Sequence, residues 1–402
     1  MRVLILHNRY RIAGGEEAVV AGESALLRNA AVVVEVLEVT NEAIAGAAQT
    51  IKTAILTPYS PAGRRLAAER IRAFKPDVVH VHNFFPTLSP SVYDACRSAG
   101  VAVVQTLHNY RLVCANGLLF RAGSVCTECL GRTWTLPAIR HGCYRGSRMG
   151  SAAVAAMIGV HRVRGTWAER VDRFIVLTEF ARGLFTERAG IPPEKIVVKP
   201  NAAPDAGEGE GAGGFALYVG RLSPEKGVET LLAAAASGLS MPLVVAGSGP
   251  LQAKVEAAQR EGKLTYVGLK DPEAVQQLMR QARLLLIPSL WYEGLPMVVP
   301  EAFSAGLPIA ASRIGSLETL IEEKADGEVG NGLLFEPGSP DALAESVRRF
   351  AANCDHEPAM RRRARATYEA LYRPEANLKM LLAIYEEARA QARRDSTGPA
   401  NR

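Results

Sequence analysis

Ten short apolar segments alternate with helical stretches along this chain, and that alternation leaves few folds open. In the first half they are Val3–His7, Val32–Leu37, Val78–His82, Val101–Thr106 and Phe174–Thr178. In the second half they are Phe215–Val219, Pro242–Ala246, Leu264–Val267, Leu284–Ile287 and Pro308–Ala311. Stretches such as Glu16–Arg28 and Pro61–Phe74 read as helices between them. Continuous apolar strands suit a parallel sheet covered on both faces, and strands separated by helices build βαβ units. The pattern therefore predicts an α/β fold of doubly wound, Rossmann-like sheets.

A chain of 402 residues is too long for one comfortable core. The break falls at Asn201–Gly214, NAAPDAGEGEGAGG, which has no apolar period and reads as a flexible linker. The expected organisation is an N-terminal domain over 1–200, a linker over 201–214 and a second domain over 215–372. A C-terminal helical segment over 373–402 follows, free to pack back on the first domain. In open parallel sheets ligands bind beyond the carboxyl ends of the strands, so loops facing a cleft between the two domains should carry the chemistry.

Charge narrows the classes of partner. Residues 1–200 hold 25 Lys and Arg against 15 Asp and Glu, while the remainder holds 22 against 26. Arg111 to Arg173 is the most basic stretch, with ten Arg opposed only by Glu128, Glu169 and Asp172. An anionic partner follows: phosphate, a lipid head group or nucleic acid. Aromatic residues make up 6% and show no stripe interleaved with basic ones, which argues against nucleic acid. No apolar run reaches the ~18 residues that cross a bilayer. The N-terminus meets charge at once and reads as a buried strand, not a secretory signal. The expectation is a cytoplasmic protein, with peripheral contact at the inner membrane face through the Arg-rich stretch and the helical segment Ser147–Arg164.

Two loops carry phosphate and sugar chemistry. Gly220-Arg-Leu-Ser-Pro-Glu-Lys-Gly227 follows a strand directly. Ser223 suits an N-cap and Pro224 a first helical position, so Arg221 and Lys226 should flank a helix N-terminus, where free N–H groups favour an anion. In the second loop, Glu293 precedes a helix expected over Met297–Ala305 and Glu301 lies in its first turns. A carboxylate accepts two hydroxyls at once, which suits a ribose or sugar diol. Gly247-Ser-Gly249 lacks the third glycine of a dinucleotide fingerprint.

These segments, with NGLLFEPGSPDALAESV at 331–347, resemble the retaining glycosyltransferases of family four, the group 1 glycosyl transferases with the GT-B fold. The resemblance spans most of the chain. It implies that Arg221 and Lys226 bind a donor diphosphate, Glu301 its ribose and Glu293 the transferred sugar. Leu295, Met297 and Val298 belong to the same donor-binding set. His108, in Thr106-Leu-His-Asn, is similar to a histidine that touches the transferred sugar. Gly14 and Gly15 are similar to a glycine loop near the phosphates. The implied reaction moves a hexose-type sugar from a nucleotide-diphosphate sugar to a glycan or polyprenyl-linked acceptor, with retention, as in cell-surface polysaccharide synthesis. No Asp-x-Asp occurs, which fits metal-independent transfer without a cofactor. An epimerase or hydrolase on the same fold would share the donor motifs.

Four of the six cysteines, Cys114, Cys126, Cys129 and Cys143, are spaced C-x11-C-x2-C-x13-C. The C-x2-C unit suggests structural zinc in an insert over 112–146; reduced structural thiols or redox pairing are the other readings.

Overall fold

The computed structural model describes residues 1–9, 15–41, 46–324 and 329–397. The chain forms two compact units. One comprises Met1–Leu119, Thr127–Pro200 and Asn377–Arg402; the other Phe120–Cys126 and Asn201–Ala376.

The first unit contains β1 (Arg2–Arg9), β2 (Val33–Thr40), β3 (Val78–Asn83) and β4 (Ala102–Leu107). A two-stranded hairpin, β5 (Phe120–Arg121) with β6 (Ser124–Val125), comes next in sequence and belongs mainly to the other unit. β7 (Arg173–Val176) and β8 (Ile196–Val198) complete the first sheet. All its strands are parallel, in the order β2-β1-β3-β4-β7-β8. β3 and β4 are buried throughout, as strands covered on both faces must be. Chain order reverses between β1 and β3, so this is the switch point beyond whose carboxyl ends a ligand site is expected. Register slips there: Leu6 pairs with Val81 but His7 with Asn83, leaving His82 as the extra residue of a bulge.

The helix Pro374–Thr397 seats Leu381, Ile384, Tyr385 and Ala388 in the core of Val3, Ile5, Val78 and Val104. Arg173–Glu387 and Arg389–Asp77 ion pairs flank it.

The second sheet contains β9 (Ala216–Val219), β10 (Leu243–Ala246), β11 (Thr265–Gly268), β12 (Leu284–Ile287), β13 (Ile309–Ser312) and β14 (Gly332–Phe335). Its order, β11-β10-β9-β12-β13-β14, is the Rossmann order with the switch between β9 and β12. The loops leaving those two strands are the two motif-bearing loops.

The segment expected as a flexible linker is packed onto the second unit. It has no regular secondary structure, yet Gly209 N donates to Ala305 O and Gly213 N to Gln281 O, both at 3.0 Å. Arg365 grips Asp205 through two nitrogens, at 2.6 and 2.7 Å. A Cβ on Gly209 would lie 2.3 Å from Arg280 O. The glycines here serve close backbone approach, a use that composition does not distinguish from a hinge. β8 and β14 lie outside the expected strands: each offers an apolar run of only three residues, β14 because it opens on Gly332.

Candidate active site

In the second unit, the β9 loop turns differently from the expected helix start. Pro224–Lys226 is a single 3-10 turn, Gly227 is left-handed at φ 70°, and the helix runs Val228–Ser237. Ser223 does not cap; its hydroxyl donates to Glu225 Oε1 at 2.6 Å. The extra turn holds Lys226 against the β12 loop. Lys226 Nζ lies 2.6 Å from Glu293 Oε1, and Ser289 Oγ donates to that oxygen at 2.7 Å. Lys226 also stands 5.5 Å over the Trp291 ring. Glu293 is buried, while Arg221 is exposed.

Two close approaches brace this arrangement. A Cβ on Gly227 would meet Pro288 O at 1.7 Å, and one on Gly247 would meet Gly220 O at 1.9 Å. Glycine is required at both, and for Gly247–Gly249 this is the role, with Leu222 N donating to Ser248 O at 2.9 Å. Glu301 lies in the short helix Val298–Ser304. Burial pushes its carboxyl up to about 7. No described residue pairs with that carboxylate, so an entering hydroxyl pair would meet a partly desolvated acceptor. Leu295 is buried, Val298 is half-buried, and Met297 Sδ accepts from Asn201 Nδ2 at 3.6 Å.

In the first unit, a chain of buried polar groups crosses the carboxyl ends of β1, β3 and β4. Lys199 Nζ donates to Glu23 Oε1 at 2.5 Å, both fully buried. Glu23 Oε2 lies 3.4 Å from His82 Nε2, and His82 Nδ1 lies 3.0 Å from His108 Nε2. His80 joins Tyr385 and Thr106, each at 2.8 Å. Burial alone would raise the Glu23 carboxyl; Lys199, then His82 and His80, hold it well below the usual range. Burial, then His82, keeps His108 well below the ordinary imidazole range, so it stays neutral at pH 7. A carboxylate facing His82 Nε2 favours the tautomer protonated there. His82 Nδ1 must then accept from His108 Nε2–H, leaving His108 Nδ1 as a bare acceptor.

Among the described residues, the one group of three potential metal ligands is Glu23, His80 and His82. A cation there would sit beside the Lys199 ammonium, so we read it as a buried polar cluster in which Glu23 Oε2 and His82 Nε2 face each other at ion-pair distance. No three of the four sulfurs of Cys114, Cys126, Cys129 and Cys143 come within 4.8 Å of one another, and no disulfide joins them. Cys114 Sγ instead donates to Asn116 Oδ1 at 2.9 Å. The thiols as arranged do not fit a zinc shell.

Gly14 lies outside the described residues; Gly15 begins the helix Gly15–Asn29. Beside it, His7 lies 3.7 Å from Glu16 and 3.9 Å from Glu17. Burial, then the Glu17 charge, pushes Glu16 up to about 8. Glu23 and Lys199 were missed in the sequence. The available signal was an acid at position 23 on the buried face Val19, Val20, Ser24 and Leu27.

Two Rossmann-like sheets, each with polar side chains at its switch point, define a protein of the GT-B class. Residues 14–202 match a glycosyl transferase 4-like domain and residues 208–367 match the glycosyl transferases group 1. The chain belongs to this family of glycosyltransferases. It is 28% identical over 237 residues to an alpha-D-kanosaminyltransferase of Streptomyces kanamyceticus, covering 55% of each chain. It is 30% identical over 144 residues to an O-antigen chain mannosyltransferase B of Escherichia coli, covering 33% of this chain and 36% of that one. The chain thus spans from about a fifth to about half of the length of the curated relatives it matches. The structure of Anabaena HepE in complex with UDP superimposes with a TM-score of 0.67, covering 96% of this chain and 100% of that chain at 16% identity. No described helix is long and apolar enough to cross a membrane.

Proposed function

We propose that this chain is a retaining, metal-independent glycosyltransferase that moves a hexose-type sugar from a nucleotide-diphosphate sugar to a glycan or polyprenyl-linked acceptor. The observation that carries the reading is the Lys226–Glu293 pair, held between the two loops of the second unit's switch point. A leaving diphosphate needs cations, and Lys226 and Arg221 supply two from one loop. The transferred sugar needs a hydroxyl acceptor, and Glu293 is positioned by Lys226 and Ser289 to be one. Glu301 would take the ribose diol. On the first unit, neutral His108 with a bare Nδ1 would accept a hydroxyl of the transferred sugar. The acceptor hydroxyl then attacks from the face the diphosphate leaves, and the departing phosphate takes its proton. Relatives named for kanosamine and mannose transfer are consistent with a hexose donor.

The test is a thermal-shift screen of UDP-, GDP- and ADP-sugars, followed by product analysis with added acceptors. Expected are one selective donor and a product whose anomeric configuration matches the donor. Sugar altered or released without transfer to any acceptor would favour an epimerase or hydrolase, and an inverted product would exclude retention.

A further inference from the structure

The first unit holds a cavity of about 250 Å³ that the reading above leaves unused. One wall is the helix Gly46–Leu56, whose Thr50, Thr53, Ala54 and Thr57 line it at helical spacing. These threonines are polar in name only. Their hydroxyls donate back to Gly46 O, Gln49 O and Thr53 O, each at 2.8 Å, which leaves methyl groups as the unbonded part of each side chain. The opposite wall is the helix Arg148–Val163, which contributes Ala153 and Val154. Met149, which lines the cavity, is 62% exposed, and Ile51 and Ile55, on the same helix as the threonines, are 45% and 71% exposed. An apolar cavity with exposed apolar side chains on its helices is ready for a hydrocarbon chain.

It shares a wall with a small pocket lined by His82, Thr106 and His108. Phe85 lines both spaces. Over the Phe85 ring, 4.4 Å from its centre, lies the Arg111 guanidinium, which also lines the His108 pocket. Arg111 Nη1 donates to Ala115 O at 2.7 Å and Nη2 to Asn116 O at 3.4 Å, but its Nε is buried with no hydrogen-bond partner among the described residues. A buried N–H left unbonded on a cationic side chain invites an anionic acceptor. Arg145 lines the cavity as well, and neither helix wall carries an acidic residue.

We propose that this cavity seats the hydrocarbon chain of a lipid-phosphate acceptor, with its phosphate at Arg111 and its sugar end toward His108. This rests on the glycosyltransferase reading only for the use made of the sugar end. The order of parts is that of the molecule: chain, anion, hydroxyl. A free oligosaccharide would fill the polar pocket and leave the apolar one empty.

The experiment measures binding of farnesyl phosphate to the full chain, with farnesol and inorganic phosphate as the separated halves. Saturable binding of farnesyl phosphate, at least tenfold tighter than of either half, is expected. Ala54→Phe and Ala153→Phe fill the cavity from opposite walls and should each weaken it at least tenfold, with the thermal midpoint at the wild-type value. Arg111→Met should lower it to the level of farnesol. No saturable binding by the wild-type chain, or equal binding by both filled variants, overturns the proposal. Nucleotide-sugar binding is scored separately in the same samples. Its loss with farnesyl phosphate still bound would sink the transferase reading and leave the lipid cavity standing.

Discussion

Lys226 Nζ and Glu293 Oε1 are 2.6 Å apart although 67 residues separate them in the chain. The parallel pairing of β9 with β12 places both loops at the same sheet end, and the left-handed Gly227 completes the approach. The two should therefore act as a unit. Lys226→Ala is expected to lower transfer about 10²–10³-fold, the usual cost of one charge-stabilising group. The double variant Lys226→Ala/Glu293→Gln should be little worse than the poorer single one. Additive losses in steady-state kinetics would show that the residues work independently.

Glu301 leads to a pH prediction. Burial raises its carboxyl from 4.5 to about 7, so the folded state favours the neutral form. Its contribution to stability is complete below about 4.5 and is lost as pH rises through 7. A diol that donates to the carboxylate prefers the charged form, so donor affinity should rise between pH 6 and pH 8. In Glu301→Gln, calorimetry should find that rise gone and the ligand-free protein more stable than wild type at pH 8. Unchanged pH dependence in that variant would count against the ribose role.

The Glu23–His82–His108 chain predicts a tautomer. Nitrogen NMR of the histidines should find His108 protonated at Nε2 and bare at Nδ1 at neutral pH. Replacing Glu23 removes the acceptor that selects this state, but also strands Lys199, a change that costs ~3–5 kcal/mol when a buried pair loses one partner. Glu23→Gln with Lys199→Met avoids the stranded charge. In that double variant the His108 signals should shift toward a mixture of tautomers, and a spectrum identical to wild type would refute the coupling.

Gly227→Ala should be among the most damaging single-methyl additions in the second unit. The new Cβ would meet Pro288 O at 1.7 Å on a backbone at φ 70°. Equilibrium unfolding should show a loss of at least ~1 kcal/mol, the order of one strained backbone residue, together with weaker donor binding. Wild-type values for both would mean that the loops move apart easily.

Much of this was legible beforehand. Leu284–Ile287 and Pro61–Phe74 occur as read, because an apolar run or a 3.6 period marks burial wherever the chain goes. β8 has only three residues, and β14 opens on Gly332, which cuts its apolar run to three. The Asn201–Gly214 stretch misled because glycine serves both mobility and close packing, and only the neighbouring backbone at Arg280 and Ala305 decides which.

Local pattern alone determined the α/β class, the two sheets and the loops bearing Arg221, Lys226, Glu293 and Glu301. Each of those properties is set by neighbours within a few residues. Tertiary structure decided the pairings: Lys226 with Glu293, Glu23 with Lys199, and His82 with His108 across a bulge that no periodicity announces. Such contacts depend on strand order and register, and these emerge only when every apolar segment of a unit is buried at once.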